Sequence, residues 1–276
     1  MKLAVSNIAW RPEDASSAYA LLENRGVRGL EIAPGLLFPE EHDPFAPSPQ
    51  ALLTKLQQTA DAGLQLVSMQ SLLFGVSDAL LFGDAGQRSR FEAGLVRAIE
   101  LAARLGIGKL VVGSPMNRTI PLGMERDQAL EIAVDAFARL AEVAQKNACR
   151  LAMEANPPPY GTNFLNTFED VTDFATRVNH PALGVNLDVG ALYMTGEFEK
   201  VSALVEENAA LLVHVHISEP NLAPLSTDPY RLRRCLTALA GIGWTDWVSI
   251  EMRATPEPTL SGIDSAIRIS MEAIAA

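Results

Sequence analysis

A chain of 276 residues with 48 % hydrophobic and 20 % charged residues has ample material for one large core, which excludes a disordered or fibrous polymer. Its 22 Lys and Arg stand against 33 Asp and Glu, a net charge of −11, and so balanced a chain lacks the cations that nucleic acid demands of a partner. No apolar run approaches the roughly 20 residues of a membrane helix. The first seven residues lack the apolar stretch of a signal peptide, and Cys149 and Cys235 share no CxxC spacing, so a soluble, cytoplasmic chain with no membrane partner is expected.

Short apolar runs alternate along the chain with polar loops and Ala/Leu-rich amphipathic stretches. A strand is expected at 2–8 and a helix at 12–25, then strand 29–32 and helix 48–62, strand 65–69 and helix 87–105, strand 109–113 and helix 126–147. The second half repeats the unit: strand 150–154 and helix 167–178, 184–188 and 197–208, 212–217 and 230–240, 247–252 and 259–276. In the fourth helix Ala129, Ile132, Ala133, Ala136, Phe137, Leu140 and Val143 recur at helical spacing and mark its buried face. The brevity and continuous apolarity of the strands suit a parallel sheet covered by helices. Eight such units without a long linker predict a single-domain α/β protein, a (β/α)₈ TIM barrel over residues 1–276. A doubly wound open sheet would carry a Gly-rich nucleotide turn after its first strand, and Ile8-Ala9-Trp10-Arg11-Pro12 has none. The segments after strands are long at 33–47, 70–85, 114–125 and 155–166, and that is the face on which barrels build sites.

Strands five to eight each end on a side chain able to bind metal: Glu154, Asp188, His216 and Glu251, spaced by 34, 28 and 35 residues. One acidic residue at a strand end is ordinarily a helix cap or a solvated charge. Four in register on successive strands would aim at a common point, where like charges repel unless a cation intervenes. Three carboxylates and one imidazole favour Mn²⁺, Mg²⁺ or Co²⁺ over the sulfur-rich sites of structural zinc, with zinc still possible. His214 shares a face with His216, and the residue nearer the strand's C-terminal end is the expected ligand.

These four residues, with Gly29-Leu30-Glu31-Ile32 and His214-Val215-His216-Ile217-Ser218-Glu219-Pro220-Asn221, resemble the xylose-isomerase-like barrel superfamily. The chain is most similar to its sugar phosphate isomerase/epimerase group, which includes ketose 3-epimerases and hydroxypyruvate isomerase. The resemblance implies that Glu154 and Glu251 are metal ligands and the two proton carriers, that Asp188 and His216 complete the coordination, and that the chain forms homo-oligomers. Ala191 stands where those epimerases carry a histidine, and Leu222 where they carry an arginine, so two polar contacts to a ketose are missing.

The expected chemistry is proton movement on a small sugar or polyol through an enediolate, with the two glutamates as acid and base. Return of the proton to the opposite face gives epimerisation and return to the next carbon gives isomerisation. Loss of water, as from an inosose-like polyol, gives a dehydratase. Substrate contacts are expected among Glu31, Gln70, Asn117, Arg118, Asn156, His214, Glu219 and Arg253, with Arg118 and Glu219 preferred. Trp10, Phe74 and Tyr193 offer an apolar wall, although core packing is the expected role for Phe74. The turns after strands seven and eight contain Pro220 and Pro256 and no glycine, which favours an unphosphorylated substrate. Two rivals remain. An endonuclease-IV-type repair enzyme needs more histidines than His42, His180, His214 and His216 and a basic surface, while a non-catalytic sugar-binding barrel would retain the metal alone.

Overall fold

Eight apolar runs form eight strands: β1 Lys2–Ser6, β2 Gly29–Ile32, β3 Gln65–Met69, β4 Lys109–Val112, β5 Arg150–Glu154, β6 Leu183–Asp188, β7 Leu212–Ser218 and β8 Trp247–Glu251. They follow one another in sequence order around a closed barrel. The structure, a computed structural model, describes residues 1–226, 229–255 and 259–275. The helices are α1 Ala15–Asn24, α2 Pro34–Leu37, α3 Pro49–Asp61, α4 Ala85–Leu105, α5 Arg126–Lys146, α6 Phe168–Val178, α7 Val189–Thr195, α8 Val201–Glu207, α9 Tyr230–Gly241 and α10 Thr259–Ala275. Pro256 and Ala276, which figured in the expectations above, lie outside the described residues. No helix among the described residues is long and apolar enough to cross a membrane.

Backbone contacts divide the chain into two compact units, one of Met1–Ser68, Asp188–Ala210 and His214–Ala276, the other of Met69–Leu187 and Leu211–Val213. In the first unit β1 pairs in parallel with β2 and β8, Ala4 standing opposite Gly29 and Ser249. Ala4, Val67 and Trp247 pack together. A Cβ at Gly29 would lie 2.6 Å from that of Ala4 and 2.7 Å from the Trp247 ring, so the indole occupies the space a side chain would need. Arg25 donates to Asp264 through Nε and Nη2 at 2.5 and 2.9 Å, tying α1 to α10.

In the second unit β4, β5 and β6 pair in parallel, Val112 opposite Met153 and Glu154 opposite Asn186. Five buried rings, Phe82, Phe164, Phe174, Phe137 and Phe91, meet edge to face in a continuous chain with centroids 5.0–6.1 Å apart. Such pairs contribute beyond the area they bury. The buried face of α5 differs slightly from expectation. Ala141 and Ala144 are buried, and Ile132 and Val143 are only half-buried.

Other boundaries moved for identifiable reasons. β1 stops at Ser6 instead of Ile8 because Asn7 turns inward: its Oδ1 accepts from Ala33 N at 2.7 Å and its Nδ2 donates to Ala33 O at 3.3 Å. The expected helix at 197–208 is a 3₁₀ turn, Phe198–Lys200, running into α8. Two short helices, α2 and α7, lie in segments read as loop. Phe74 is a correction: it is 86 % exposed, so it takes no part in the core. Both cysteines are buried free thiols, and burial pushes Cys149 up to about 11 and Cys235, which also faces Asp188, up to about 12, leaving both unreactive.

At the start of α6, Thr167 Oγ1 accepts from Asp170 N at 3.0 Å and Asp170 Oδ2 accepts from Thr167 N at 3.1 Å, a reciprocal cap. Thr167→Ala is expected to cost about 1 kcal/mol. In a thermal melt that corresponds to a fall of roughly 2–4 °C.

Candidate functional site

Strand β7 places His214, His216 and Ser218 on one face by its two-residue period, and all three are buried. Glu31 of β2 and Ser68 of β3 are buried with them at 0 % exposure. Glu31 Oε2 lies 2.8 Å from His214 Nε2 and 3.1 Å from His216 Nε2, and accepts from Ser68 Oγ at 2.6 Å. Burial alone would raise the Glu31 carboxyl. The His216 imidazole beside it, and hydrogen bonds from both histidines, instead hold it well below the ordinary carboxylate range. Glu31 is therefore ionised in the interior, where an anion persists only with partners of this kind.

The other nitrogen of His216 faces two carboxylates. Nδ1 lies 3.2 Å from Glu251 Oε2 and 3.8 Å from Asp188 Oδ2. Asp188 ends β6 and caps α7: Oδ1 accepts from Ala191 N at 2.5 Å, while Oδ2 accepts from Ser218 Oγ at 2.7 Å. The Ser218 hydroxyl in turn accepts from Gly190 N at 2.9 Å. One oxygen of Asp188 thus holds the helix start and the other is turned toward His216. One ligand atom each of Asp188, His216 and Glu251 lies within 4.8 Å of the others. Two carboxylates and an imidazole nitrogen so close, and this buried, are the donor set a hard or borderline divalent cation requires.

Glu154 ends β5. Its Oε1 accepts from Asn186 Nδ2 at 2.8 Å and its Oε2 from Asn156 Nδ2 at 3.2 Å. Asn186 is in register with Glu154 and stands two residues before Asp188 on β6. A Cβ at Gly113, just past β4, would lie 2.7 Å from Glu154 Oε2, so glycine there leaves the carboxylate its position.

Arg118, expected to meet substrate, is enclosed by acceptors of the protein itself. It is 0 % exposed and donates to three carbonyls, of Gly113 at 2.8 Å, Phe164 at 2.9 Å and Glu154 at 2.7 Å, and to Asn156 Oδ1 at 2.7 Å. Burial lowers its guanidinium to about 10 against the raising charges of Glu154 and Asp170, and it remains a cation at neutral pH. It braces the loops around Glu154. Asn156 is held between Arg118 and Glu154. Asn117, in the segment after β4, clamps the segment after β3, donating to Val76 O at 2.7 Å and Ala79 O at 2.8 Å. Glu219 accepts from Arg231 Nη1 at 2.6 Å, and that guanidinium lies 3.5 Å from the centre of the Tyr193 ring. Arg253 and Tyr193 are exposed, and Gln70 and Trp10 are buried.

Ser68, Asn186 and Ser218 were missing from the sequence-based set. The period-two rule was a usable signal for two of them. Asn186 is two residues before Asp188, and Ser218 two after His216, so each shares the inward face of a residue already singled out.

The sequence profile of the xylose isomerase-like TIM barrel family matches residues 19–273. A comparison with curated protein sequences finds no match. Among solved structures, 3-keto-D-glucoside 4-epimerase from E. coli is 17 % identical with a TM-score of 0.79, covering 99 % of both chains. D-psicose 3-epimerase from Clostridium cellulolyticum H10, solved with D-tagatose, is 17 % identical with a TM-score of 0.76, covering 100 % of this chain and 97 % of its own. The IolI protein, solved with a zinc atom, is 18 % identical with a TM-score of 0.73, covering 100 % and 98 %. At such identities the likeness is one of fold.

Proposed function

The chain belongs to the xylose isomerase-like TIM barrel family, and from that premise we propose that it is a divalent-metal-dependent isomerase or epimerase of a small, unphosphorylated sugar. The observation that carries this reading is the buried convergence of Asp188, His216 and Glu251, whose ligand atoms share a 4.8 Å neighbourhood. Glu154, at the end of the adjoining strand and held by two asparagine amides, is proposed as the fourth ligand. Mn²⁺, Mg²⁺ or Co²⁺ suits this oxygen-rich set, and zinc is the metal in the IolI structure.

When bound, the cation supplies positive charge that stabilises an enediolate. The protein's own part is proton transfer. One glutamate takes a proton from the carbon next to the substrate carbonyl, and the electron pair moves into the enediolate. The other glutamate returns a proton to the opposite face, giving the epimer. Asn186 and Asn156 orient Glu154, and His216 adjoins Glu251. A dehydratase acting on an inosose-like polyol uses the same first step and is the second reading. The acidic net charge of −11 weighs against a nuclease.

The test follows carbon-bound hydrogen. Mn²⁺-loaded protein is incubated in deuterated water with free ketoses and inosose-type polyols, and deuterium incorporation is measured by mass spectrometry. Incorporation into at least one sugar, abolished by a chelator and restored by Mn²⁺, is expected. Binding of a sugar without any exchange would instead mark a non-catalytic barrel.

A further inference from the structure

We propose that Ser218 is a positioning residue that locks the plane of the Asp188 carboxylate, and that Gly190 is the residue that makes its reach possible. The assignment rests on the metal reading above, in which Asp188 is a ligand. An aspartate ends on a torsion between sp³ and sp² carbons, and such torsions are broad. The bond from Ala191 N to Oδ1, 2.5 Å long, fixes one oxygen at the start of α7 and leaves the other free to swing. Ser218 supplies the second point. Its Oγ lies 2.7 Å from Asp188 Oδ2 and 2.9 Å from Gly190 N.

A backbone amide only donates, so the hydroxyl accepts at Gly190 and its one proton is left for Asp188. The main chain, not a titrating group, sets the direction of this relay. Both oxygens of the carboxylate are then tied to the first turn of α7, Oδ1 directly at Ala191 and Oδ2 through Ser218 to Gly190. The oxygen held by Ser218 is the one 3.8 Å from His216 Nδ1. Close approach is the condition for the relay. A Cβ at residue 190 would lie 2.8 Å from both the carbonyl carbon and the oxygen of Glu219, and 2.9 Å from Ser218 Oγ. Packed atoms do not come so near, and two of these three belong to the main chain and cannot turn aside. Gly190 has no positive φ, so glycine stands there for space and not for backbone angle.

The test is Mn²⁺ binding by the full chain, read from the electron paramagnetic resonance of free Mn²⁺. Ser218→Ala removes the hydroxyl and little else, and is expected to weaken binding about 10–100-fold, the usual effect of losing the partner of a ligating side chain. Gly190→Ala keeps the hydroxyl but displaces it, and should weaken binding through the same contact. The double variant should lose no more than the worse single one, because two changes that break one contact do not add. Thr167→Ala, which removes a hydroxyl cap from α6, should leave Mn²⁺ affinity unchanged, and so separates loss of this anchor from a general loss of stability. Wild-type affinity in Ser218→Ala overturns the assignment, whether or not Gly190→Ala folds. Additive losses in the double variant remove Gly190 from the relay. A wild-type protein that binds no Mn²⁺ takes the metal reading down as well, whereas unchanged affinity in Ser218→Ala beside a wild type that does bind strikes Ser218 alone.

Discussion

Glu251→Gln is expected to lower the rate of sugar interconversion by about 10²–10⁴-fold, the usual contribution of a positioned acid or base. The substitution keeps the shape of the side chain and removes its ability to take a proton. Glu251 is 6 % exposed and its Oε2 is 3.2 Å from His216 Nδ1, so a neutral amide there relieves crowding between acidic groups, and the fold should survive. Glu154→Gln is expected to lose as much rate but to behave differently as a folded protein. Asn186 and Asn156 both donate to the Glu154 carboxylate, and the amide that replaces it can accept at only one end. One donor is left facing another, at a cost of roughly 1–3 kcal/mol. The measurement is the conversion rate of whichever sugar the exchange screen identifies, set beside a denaturant titration of each variant. Full activity in either one removes the two-glutamate mechanism.

These two residues also show what could be read before any coordinates. The eight units were legible because hydrophobic runs of strand length and amphipathic helices are written in the local pattern, and a strand such as Leu151-Ala152-Met153-Glu154 changes character at its last residue. A charged residue at that point interrupts the pattern, which is why Glu154, Asp188, His216 and Glu251 stood out. Asp188 shows the ambiguity of the signal, since in the structure it caps α7 with one oxygen and faces His216 with the other. The helix-cap reading and the ligand reading concern different atoms of one side chain. The partners of these residues were harder to find, because serine and asparagine at inward positions do not break an apolar run as a charge does. Phe74 and Arg118 were read by residue type, and type does not report where the chain carries a side chain. An aromatic ring suggested core where the loop after β3 carries it outward, and an arginine in a loop suggested solvent or substrate where the chain folds over it. Only the path of residues 113–118 and 154–164 surrounds that guanidinium with carbonyls, and no periodicity encodes such a path.

Arg118→Met should separate a brace from a substrate contact. Methionine fills much of the same channel but supplies no N–H. The carbonyls of Gly113, Phe164 and Glu154 would then lose a donor together, as would Asn156 Oδ1. Each buried acceptor left alone costs roughly 1–3 kcal/mol, and partial relaxation brings the expected loss to about 3–5 kcal/mol. On a chain of this size that is a fall in Tm on the order of 5–15 °C. Arg118→Lys should recover little of it, because a point charge on a flexible stem cannot reproduce a planar fork that bonds acceptors on several sides. Arg253→Ala, at an exposed position, should stay within about 0.5 kcal/mol of the parent and serves as the control. The effect should also reach the site indirectly. Arg118 donates to Asn156 Oδ1, and that bond decides which end of the Asn156 amide points at Glu154, so without it the amide is free to flip and present its oxygen to the carboxylate. Lower stability with an unchanged KM and a reduced kcat is the signature of a brace acting through Glu154. Unchanged stability with a raised KM would return Arg118 to the substrate.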